Sequence, residues 1–572
     1  MAIKTIASGT VADAYLELLA DRGIDYLFAN AGTDFAPLIE AYAKAQAHGT
    51  KVPKPITVPH ENVAIAMAQG YYLKTGRPQA VMVHVNVGTA NAICGLINGW
   101  RGNIPVLFTA GRTPYSEEGV LMGMRSGEIH WAQEMRDQRA MVREFVKWDY
   151  ELPNSEVLES AVDRALNMTM TEPMGPVYMT LPREVLAAPI ENFRYASPAR
   201  HATPSPVYPD PNAIDSAAHL LAAAEFPLII TRSAGRVESD VAKLVALAER
   251  FAIPVFERKH HFMCMPANSP MNLGGNPEAY FDVADVIVVL EADVPWVPKR
   301  KAPRPDAKII HIGMDPIFAN YPLRGFPCDL AITGIIGATL PLLTQALEAR
   351  ERAAASRIDA RRKRITEARD KLDAHASASL AKVKNGLPIH PGWINHCIDT
   401  VKGDDGIVIK EALTPAEHLN FTKPGTYFSL GQGGALGWGL GTALGMKAAM
   451  PDKLVICAVG DGSYMFGNPI AAHYVGKAEK LPTLTVIYNN EMWNAVRRNT
   501  RDVYPDGYAA KSNREPLTYF EPGTSYEKAI ETVGGYGEQV TDAAALPKAL
   551  DRALDRVASG QQALLNVICG TG

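Results

Sequence analysis

Helix-like and strand-like stretches alternate along this chain, and the alternation starts afresh three times. The first round holds the helix-like "TVADAYLELLADRG", then "IDYLFAN", "QAVMVHVNV" and "IPVLFTAG". The second begins near residue 213 with "AIDSAAHLLAAA" and continues through "FPLIITRSAG", "VADVIVVLEAD" and "AKIIHIGMD". The third begins near residue 390 and supplies "GIVIKEA", "KLVICAVGDG", "LPTLTVIYNN" and "QALLNVICG". Apolar strands separated by helical stretches predict α/β units built on mainly parallel, doubly wound sheets. At 572 residues the chain is too long for one core. The expected division is 1–190, 205–345 and 385–572, with the proline-rich 196–212 between the first two units. Residues 346–384, a charged run of helix formers, are expected to form a solvated linker helix.

Composition excludes more than it selects. A formal net charge of -4, with acidic and basic residues interspersed, offers no electrostatic footprint for nucleic acid. The most apolar stretch, "ALGWGLGTALGMKAAM", is broken by glycine and carries Lys447, and "MAIKTIASGT" has no apolar signal core, so a cytoplasmic protein is expected. Six scattered cysteines without a C-x-x-C pair read as reduced core thiols. The glycine-rich 431–445 contains neither G-x-G-x-x-G nor G-x-x-x-x-G-K-[ST], which counts against a nicotinamide or ATP enzyme.

One segment carries a specific chemistry. "GDGS" at the end of a strand puts Asp461 at the carboxyl edge of a parallel sheet, and its neighbours Gly460, Gly462 and Ser463 are small enough for backbone amides to approach a phosphate. After a helix-sized gap a second strand ends at Asn489 and Asn490 on the same edge. The Asp461 carboxylate, the Asn490 amide oxygen and a backbone carbonyl just beyond, at Met492, make an oxygen-only set suited to Mg²⁺ if a diphosphate completes the shell. On local grounds alone, Asp461 is equally readable as a turn or cap residue.

GDG, 26 residues and then NN resembles the diphosphate and metal signature of thiamine diphosphate enzymes, and the resemblance runs along essentially the whole chain. The decarboxylase and acetolactate synthase superfamily is the one resembled. It implies a pyrimidine-binding N-terminal domain, a middle domain and a C-terminal diphosphate-binding domain. "VPHENVAIAMAQGYYLKTGRP" resembles the family's stretch bearing the glutamate, here Glu61, that hydrogen-bonds the cofactor's aminopyrimidine. In "GGALGWGLG", Leu436 stands where the family has the aliphatic side chain that bends the cofactor, with Gly434 beside it. The loop "VHVNVGTANAICGLINGW" resembles benzoylformate decarboxylase more than acetolactate synthase, which makes His84 the expected proton shuttle. Thr33 in "ANAGTDF" stands for a substrate-contacting serine, and Thr414 for a diphosphate-contacting hydroxyl, with Leu413 replacing its neighbour. No histidine in "EADVPWVPKRKAPRP" matches the family's second active-site histidine, and Trp296 there reads as a packed aromatic.

The resemblance implies a 2-oxo acid substrate, an aldehyde or acyloin product, and a homodimer or homotetramer whose active sites lie between subunits. An acetolactate synthase-like carboligase and a 2-hydroxyacyl-CoA lyase are the alternatives within enzymes, and no stretch resembling the FAD-binding segment is present. A non-catalytic paralogue is disfavoured, since Glu61, Asp461 and Asn490 are all retained. His260 and His261, adjacent in an extended segment, are expected to play local polar roles and not to share a metal. Arg497, Arg498 and Arg501 either meet an acidic substrate or face solvent.

Overall fold

A computed structural model of the chain describes residues 2–412, 417–431 and 433–571. The N-terminal unit contains strands β1 (Ala2–Thr10), β2 (Tyr26–Asn30), β3 (Lys54–Thr57), β4 (Ala80–Val83), β5 (Leu107–Arg112), β6 (Asp149–Glu151), β7 (Val177–Pro182) and β8 (Pro189–Ser197). Its six-stranded sheet is parallel in the order β3-β2-β4-β5-β7-β6, while β1 and β8 pair antiparallel as a separate ribbon. The middle unit has β9 (Pro227–Thr231), β10 (Val255–Glu257), β11 (Val286–Leu290), β12 (Lys308–Gly313) and β13 (Leu330–Thr333) in the parallel order β10-β9-β11-β12-β13. The C-terminal unit has β14 (Ile407–Lys410), β15 (Tyr427–Ser429), β16 (Val455–Gly460), β17 (Leu484–Asn489), β18 (Tyr536–Val540) and β19 (Ala563–Ile568). These form a third parallel sheet, β15-β14-β16-β17-β19-β18.

The central strands read as unbroken apolar runs because helices cover both faces, and β4, β7 and β17 are buried at every residue. In all three sheets the first strand has its successor on one side and the following strand on the other. Each sheet therefore has a switch point, between β2 and β4, β9 and β11, and β14 and β16, where the carboxyl ends open a crevice.

Two helices join the N- and C-terminal units through backbone contact. Helix α1 (Glu61–Thr75) follows β3, and a second helix, α2 (Val85–Arg101), follows β4. The charged run forms α3 (Glu351–Val383), and α4 (Trp438–Ala449) precedes β16. Where α1 crosses α4, a Cβ on Gly445 would sit 2.0 Å from the Met67 carbonyl, and one on Gly70 would sit 2.2 Å from that of Thr442. Only glycine permits that approach. Gly445→Ala is expected to cost about 1–3 kcal/mol of stability by overpacking. Gly127→Ala, where an added Cβ meets nothing within 4 Å, should stay within about 0.5 kcal/mol. Denaturant unfolding of the two variants checks the contrast.

Helix α3 departs from the solvated linker expected of its composition. Ala354, Ile358, Arg361 and Ile365, on one stripe of the helix, are buried. The Arg361 guanidinium donates to the carbonyls of Leu221, Ala224 and Phe251, so the first half of the helix belongs to the middle-unit core. Four of the six cysteines are buried as expected, whereas Cys94 and Cys328 are exposed.

Candidate active site

At the switch point of the N-terminal sheet, the ends of β3, β2 and β4 bring Glu61, Asn30 and His84 to one edge. Glu61 is the first residue of α1, and its carboxyl is buried. Asn30, at the end of β2, donates to Glu61 Oε1 at 3.0 Å, and Asn91 of α2 donates to Oε2 at 3.2 Å. Two amides thus orient the carboxyl without neutralising it, and each oxygen keeps a lone-pair direction for a ligand. Gly88 leaves room for this group, since a Cβ there would lie 3.3 Å from Oε1.

His84 precedes α2, and its Nδ1 lies 2.5 Å from Oδ1 of the buried Asp34. The hydrogen bond to Asp34 is the main reason the imidazole is held above its ordinary value, against an opposing effect of burial. Nε2 lies 3.2 Å from the Gln133 carboxamide. The ring rests on bare backbone, for a Cβ on Gly32 would come 2.1 Å from Nδ1. The next residue, Val85, is buried at φ 32°, a strained conformation for a β-branched side chain, and its N–H donates to Asp34 Oδ2 at 3.4 Å.

Asp34 therefore fixes both the ring and the strained turn that presents it. Its ion pair with His84 stabilises the fold fully below the ordinary imidazole value, and that contribution is lost as pH rises through the raised one. Asp34→Asn is expected to return the His84 pKa toward ordinary and remove this pH-dependent stabilisation, as histidine NMR titration and unfolding at pH 5 and pH 8 would show. Thr33, next to Asp34, is exposed, with Oγ1 3.4 Å from His130 Nε2.

The second group lies at the switch point of the C-terminal sheet. Asp461 begins the short helix α5 (Asp461–Phe466) directly after β16 and is buried. Its Oδ1 accepts the N–H of Gly462 at 2.8 Å, while Oδ2 is buried without a partner. Burial pushes the carboxyl up to about 6, opposed by the backbone N–H groups of Gly462, Glu491, Met492 and Asn490. The turn after β17 thus wraps around Asp461. Within it the Met492 N–H donates to Asn490 Oδ1 at 3.2 Å, and Glu491 takes φ 56°. Trp493 clamps the turn, its ring lying where a Cβ on Gly462 would be 2.2 Å away. Beside Gly460 and the buried Ser463 the carboxyl end of β16 is open, as a Cβ on Gly460 would meet nothing within 4 Å.

Leu436, half-buried, sits in a turn between Gly434 (φ 65°) and Gly437 (φ 89°). Gly437 abuts the end of α5, where an added Cβ would be 2.4 Å from the Phe466 carbonyl. Glu411, after β14, accepts the N–H groups of Gly437 and Gly439 at 2.6 Å each, and burial pushes its carboxyl up to about 7. This buried carboxyl ties the Leu436 turn to the strand end across the crevice. Thr414 lies outside the described residues.

Both crevices match known domains. Residues 9–141 match the family model "Thiamine pyrophosphate enzyme, N-terminal TPP binding domain", residues 214–343 the central domain, and residues 412–567 the C-terminal TPP binding domain. The chain is a thiamine diphosphate-dependent enzyme of the decarboxylase and acetolactate synthase superfamily. It is 25% identical over 510 residues to a benzoylformate decarboxylase of Pseudomonas aeruginosa, covering 85% of this chain and 87% of the relative. It is 24% identical over 579 residues to the acetolactate synthase isozyme 3 large subunit of Escherichia coli, covering 97% and 94%. The solved structure of a thiamine diphosphate-dependent 4-hydroxybenzoylformate decarboxylase from Rhodococcus jostii RHA1 superposes with a TM-score of 0.76 at 22% identity, covering 99% of this chain and all of the other.

The donor set of this thiamine diphosphate enzyme suits a cation shared with a diphosphate. Among the described residues no group of three or more His, Cys, Asp or Glu is arranged to hold a metal. The Asp461 Oδ2, a buried carboxylate oxygen without a hydrogen-bond partner beside the open end of β16, suits a phosphate-bound Mg²⁺. The middle unit's switch point is filled instead by the buried pair Arg232 and Asp293 (2.8 Å), with Tyr321 donating to Asp293 and His261 3.1 Å from Arg232. His260 turns to the Glu257 carbonyl, and Trp296 packs edge-on against Phe281 and Phe326. Arg497 and Arg501 clamp the carboxylate of Glu515, which accounts for both without a substrate.

Sequence reading missed Asp34, Gln133, His130, Asn30 and Glu411. Asp34 had the only visible signal, an acidic residue beside a site threonine. A pocket of about 420 Å³, lined by Lys402, Asp405, Lys423 and Lys453, lies at the amino ends of β14 and β16, away from both crevices.

Proposed function

We propose that this enzyme decarboxylates a 2-oxo acid of the benzoylformate kind, using thiamine diphosphate and Mg²⁺, and releases an aldehyde or, with a second carbonyl compound, an acyloin. The observation that carries the proposal is the Glu61 carboxyl, buried, held by Asn30 and Asn91, and sharing its strand edge with the Asp34–His84 pair. Bound thiamine diphosphate supplies the carbon nucleophile and takes up the electrons released with CO₂. Glu61 holds the aminopyrimidine through one hydrogen bond. The His84 imidazole, raised by Asp34, offers its Nε2 proton to the substrate side and is reprotonated from solvent after release, since the aldehyde's new C–H bond keeps one proton. Asp461, the Asn490 amide oxygen and the Met492 carbonyl hold the cation. Gly460, Gly462 and Ser463 would border the diphosphate, and Leu436 with Gly434 would lie against the cofactor.

On this view residues 1–190 bind the pyrimidine, 385–572 bind the diphosphate, 205–345 stand between them, and 346–384 connect them. Intra-chain geometry supports active sites shared between two copies of the chain. The Asn98 carboxamide bonds both the carbonyl (2.7 Å) and the N–H (3.2 Å) of Ala435, next to Leu436. Asn98 follows His84 by nearly the whole of α2, which at 1.5 Å per residue is about 20 Å. Leu436 is thus remote from His84 of its own chain, and a homodimer or homotetramer brings a partner's diphosphate unit to each Glu61.

No helix among the described residues is long and apolar enough to cross a membrane, and a cytoplasmic location is part of the proposal. The test is a panel of aromatic, aliphatic and acidic 2-oxo acids and a 2-hydroxyacyl-CoA, with thiamine diphosphate and Mg²⁺, following CO₂, aldehyde and acyloin. Aldehyde with stoichiometric CO₂ supports decarboxylation. Acyloin as the main product moves the enzyme to the acetolactate synthase-like branch, and cleavage of the acyl-CoA alone to the lyase.

A further inference from the structure

The segment 113–138 runs over the N-terminal crevice and is tied down at several points. Glu184 Oε1 accepts the N–H groups of Tyr115 (2.9 Å) and Ser116 (3.0 Å) and the Ser116 hydroxyl (3.0 Å). The Arg183 guanidinium donates to the carbonyl of Gly123 (2.7 Å), to the Ser126 hydroxyl (3.3 Å) and to the Thr33 carbonyl (3.3 Å), pinning the segment to the backbone of a site residue. Arg125 donates to the Pro114 carbonyl at 2.7 Å. So anchored, the segment delivers two side chains: Gln133 to His84, and the buried His130 to Thr33.

The His130 contacts decide which way its hydrogen bond runs. Its Nδ1 accepts the Ser126 N–H at 3.1 Å, and a backbone amide can only donate. The neutral ring therefore carries its proton on Nε2 and donates it toward Thr33 Oγ1, 3.4 Å away. With one lone pair so engaged, the hydroxyl is left with its own proton to donate into the open crevice, one residue from Asp34 and beside His84. Such contacts are commonly long in a ligand-free enzyme and tighten on binding.

We infer that His130 is a positioning residue which turns the Thr33 hydroxyl into a hydrogen-bond donor for an acceptor oxygen, carboxylate or keto, of the bound 2-oxo acid. This rests on the function proposed above and adds a residue that the family resemblance did not supply. A neutral ring at this place agrees with its surroundings. Burial, then Arg183, Arg125 and His84, hold the His130 imidazole below its ordinary value, with Asp34 alone opposing. His130 and His84, a few residues' width apart, are thereby pushed in opposite directions, and only His84 is suited to carry the exchanged proton.

The experiment uses the full-length enzyme loaded with thiamine diphosphate and Mg²⁺, and a phosphonate analogue of its best 2-oxo acid that cannot lose CO₂. Calorimetry measures analogue and cofactor affinity for the parent, H130F, H130Q, T33V and the H130F/T33V double variant, alongside kcat and KM. H130F should bind the analogue about tenfold more weakly and raise KM by a similar factor, about the worth of one hydrogen bond. H130Q, whose amide nitrogen can donate to Thr33, should stay within about threefold. T33V should match H130F, and the double variant should lose no more than T33V alone. Cofactor affinity should not change in any of them.

Unchanged analogue binding in H130F, or an equal further loss in the T33V background, overturns the inference. Failure of the underlying function looks different, since then the parent itself neither binds the cofactor nor turns over any 2-oxo acid. In that event the ring's ¹⁵N NMR signals still decide the contact. An Nε2-protonated His130 whose signal moves in T33V upholds it, and a ring protonated at Nδ1, or one indifferent to T33V, refutes it.

Discussion

Glu61→Gln is expected to bind thiamine diphosphate about as tightly as the parent and to lose roughly 10²–10⁴-fold in kcat. Glutamine keeps the length and shape of the side chain. Its oxygen still accepts from Asn30, and a half-turn of the Asn91 carboxamide presents an oxygen to the new amide nitrogen, so the crevice is preserved. What is lost is the acid–base capacity of the carboxyl at the one atom where the pyrimidine ring is held. Tryptophan fluorescence or calorimetry measures the cofactor affinity, and steady-state kinetics on the best 2-oxo acid measures kcat. Undiminished turnover would remove Glu61 from the mechanism, whereas a large loss of cofactor affinity would recast it as a binding residue.

Asp461→Asn is expected to abolish Mg²⁺-dependent cofactor binding and at the same time to leave the metal-free protein no less stable. Loss of a direct cation ligand should exceed the roughly 10–100-fold cost seen when a group that merely orients a ligand is removed. The opposite sign for stability follows from burial. A carboxyl pushed from its ordinary 3.8 up to about 6 loses folded-state stability as pH rises through that window, because the unfolded chain ionises first. At pH 8 the penalty is up to about 3 kcal/mol, which asparagine avoids. In the parent, cofactor binding should weaken as pH falls below about 6, where Asp461 takes up a proton and ceases to be a ligand. Calorimetric titrations between pH 5 and 8, with chemical unfolding of both proteins without Mg²⁺, test both halves. A variant that binds the cofactor with unchanged Mg²⁺ dependence would refute the assignment.

Much of the site was legible because it is built from positions at strand ends. In a parallel sheet the local pattern of apolar run, then glycine or asparagine, marks a carboxyl end, and all such ends meet on one edge. Asp461 after β16 and Asn490 after β17 were found that way, whereas His84 after β4 came from the resemblance of its loop to a known family. Glu61 was legible as the first residue of a helix, although only family resemblance said what the carboxyl was for. The helical periodicity of 354, 358, 361 and 365 was equally visible in principle. It went unread because the stripe contains an arginine, whose burial depends on the Leu221, Ala224 and Phe251 carbonyls it happens to reach.

The pairs that tune the site were not legible. Thr33 and His130 are 97 residues apart, Asp34 and His84 are 50 apart, and Gly437 and Glu411 are 26 apart. No periodicity links the members of such pairs. Nor did composition reveal that two of six cysteines would be exposed, since a cysteine's burial depends on which face of its helix or loop another unit covers.

The sequence by itself determined three α/β units and the cofactor class, and it singled out the residues proposed for the diphosphate and its cation, because strand and helix periods are local and a short turn chemistry repeats wherever a phosphate must be approached. Only the tertiary structure decided that Asp34 raises the His84 imidazole, that the 113–138 segment brings His130 to Thr33, that an ion pair fills the middle crevice, and that Asn98 of α2 holds the Ala435 backbone beside Leu436. Those outcomes depend on the long-range packing of loops and helices, where a hydrogen bond forms only if two remote stretches of chain are carried to within about 3 Å. A linear pattern holds no record of that distance.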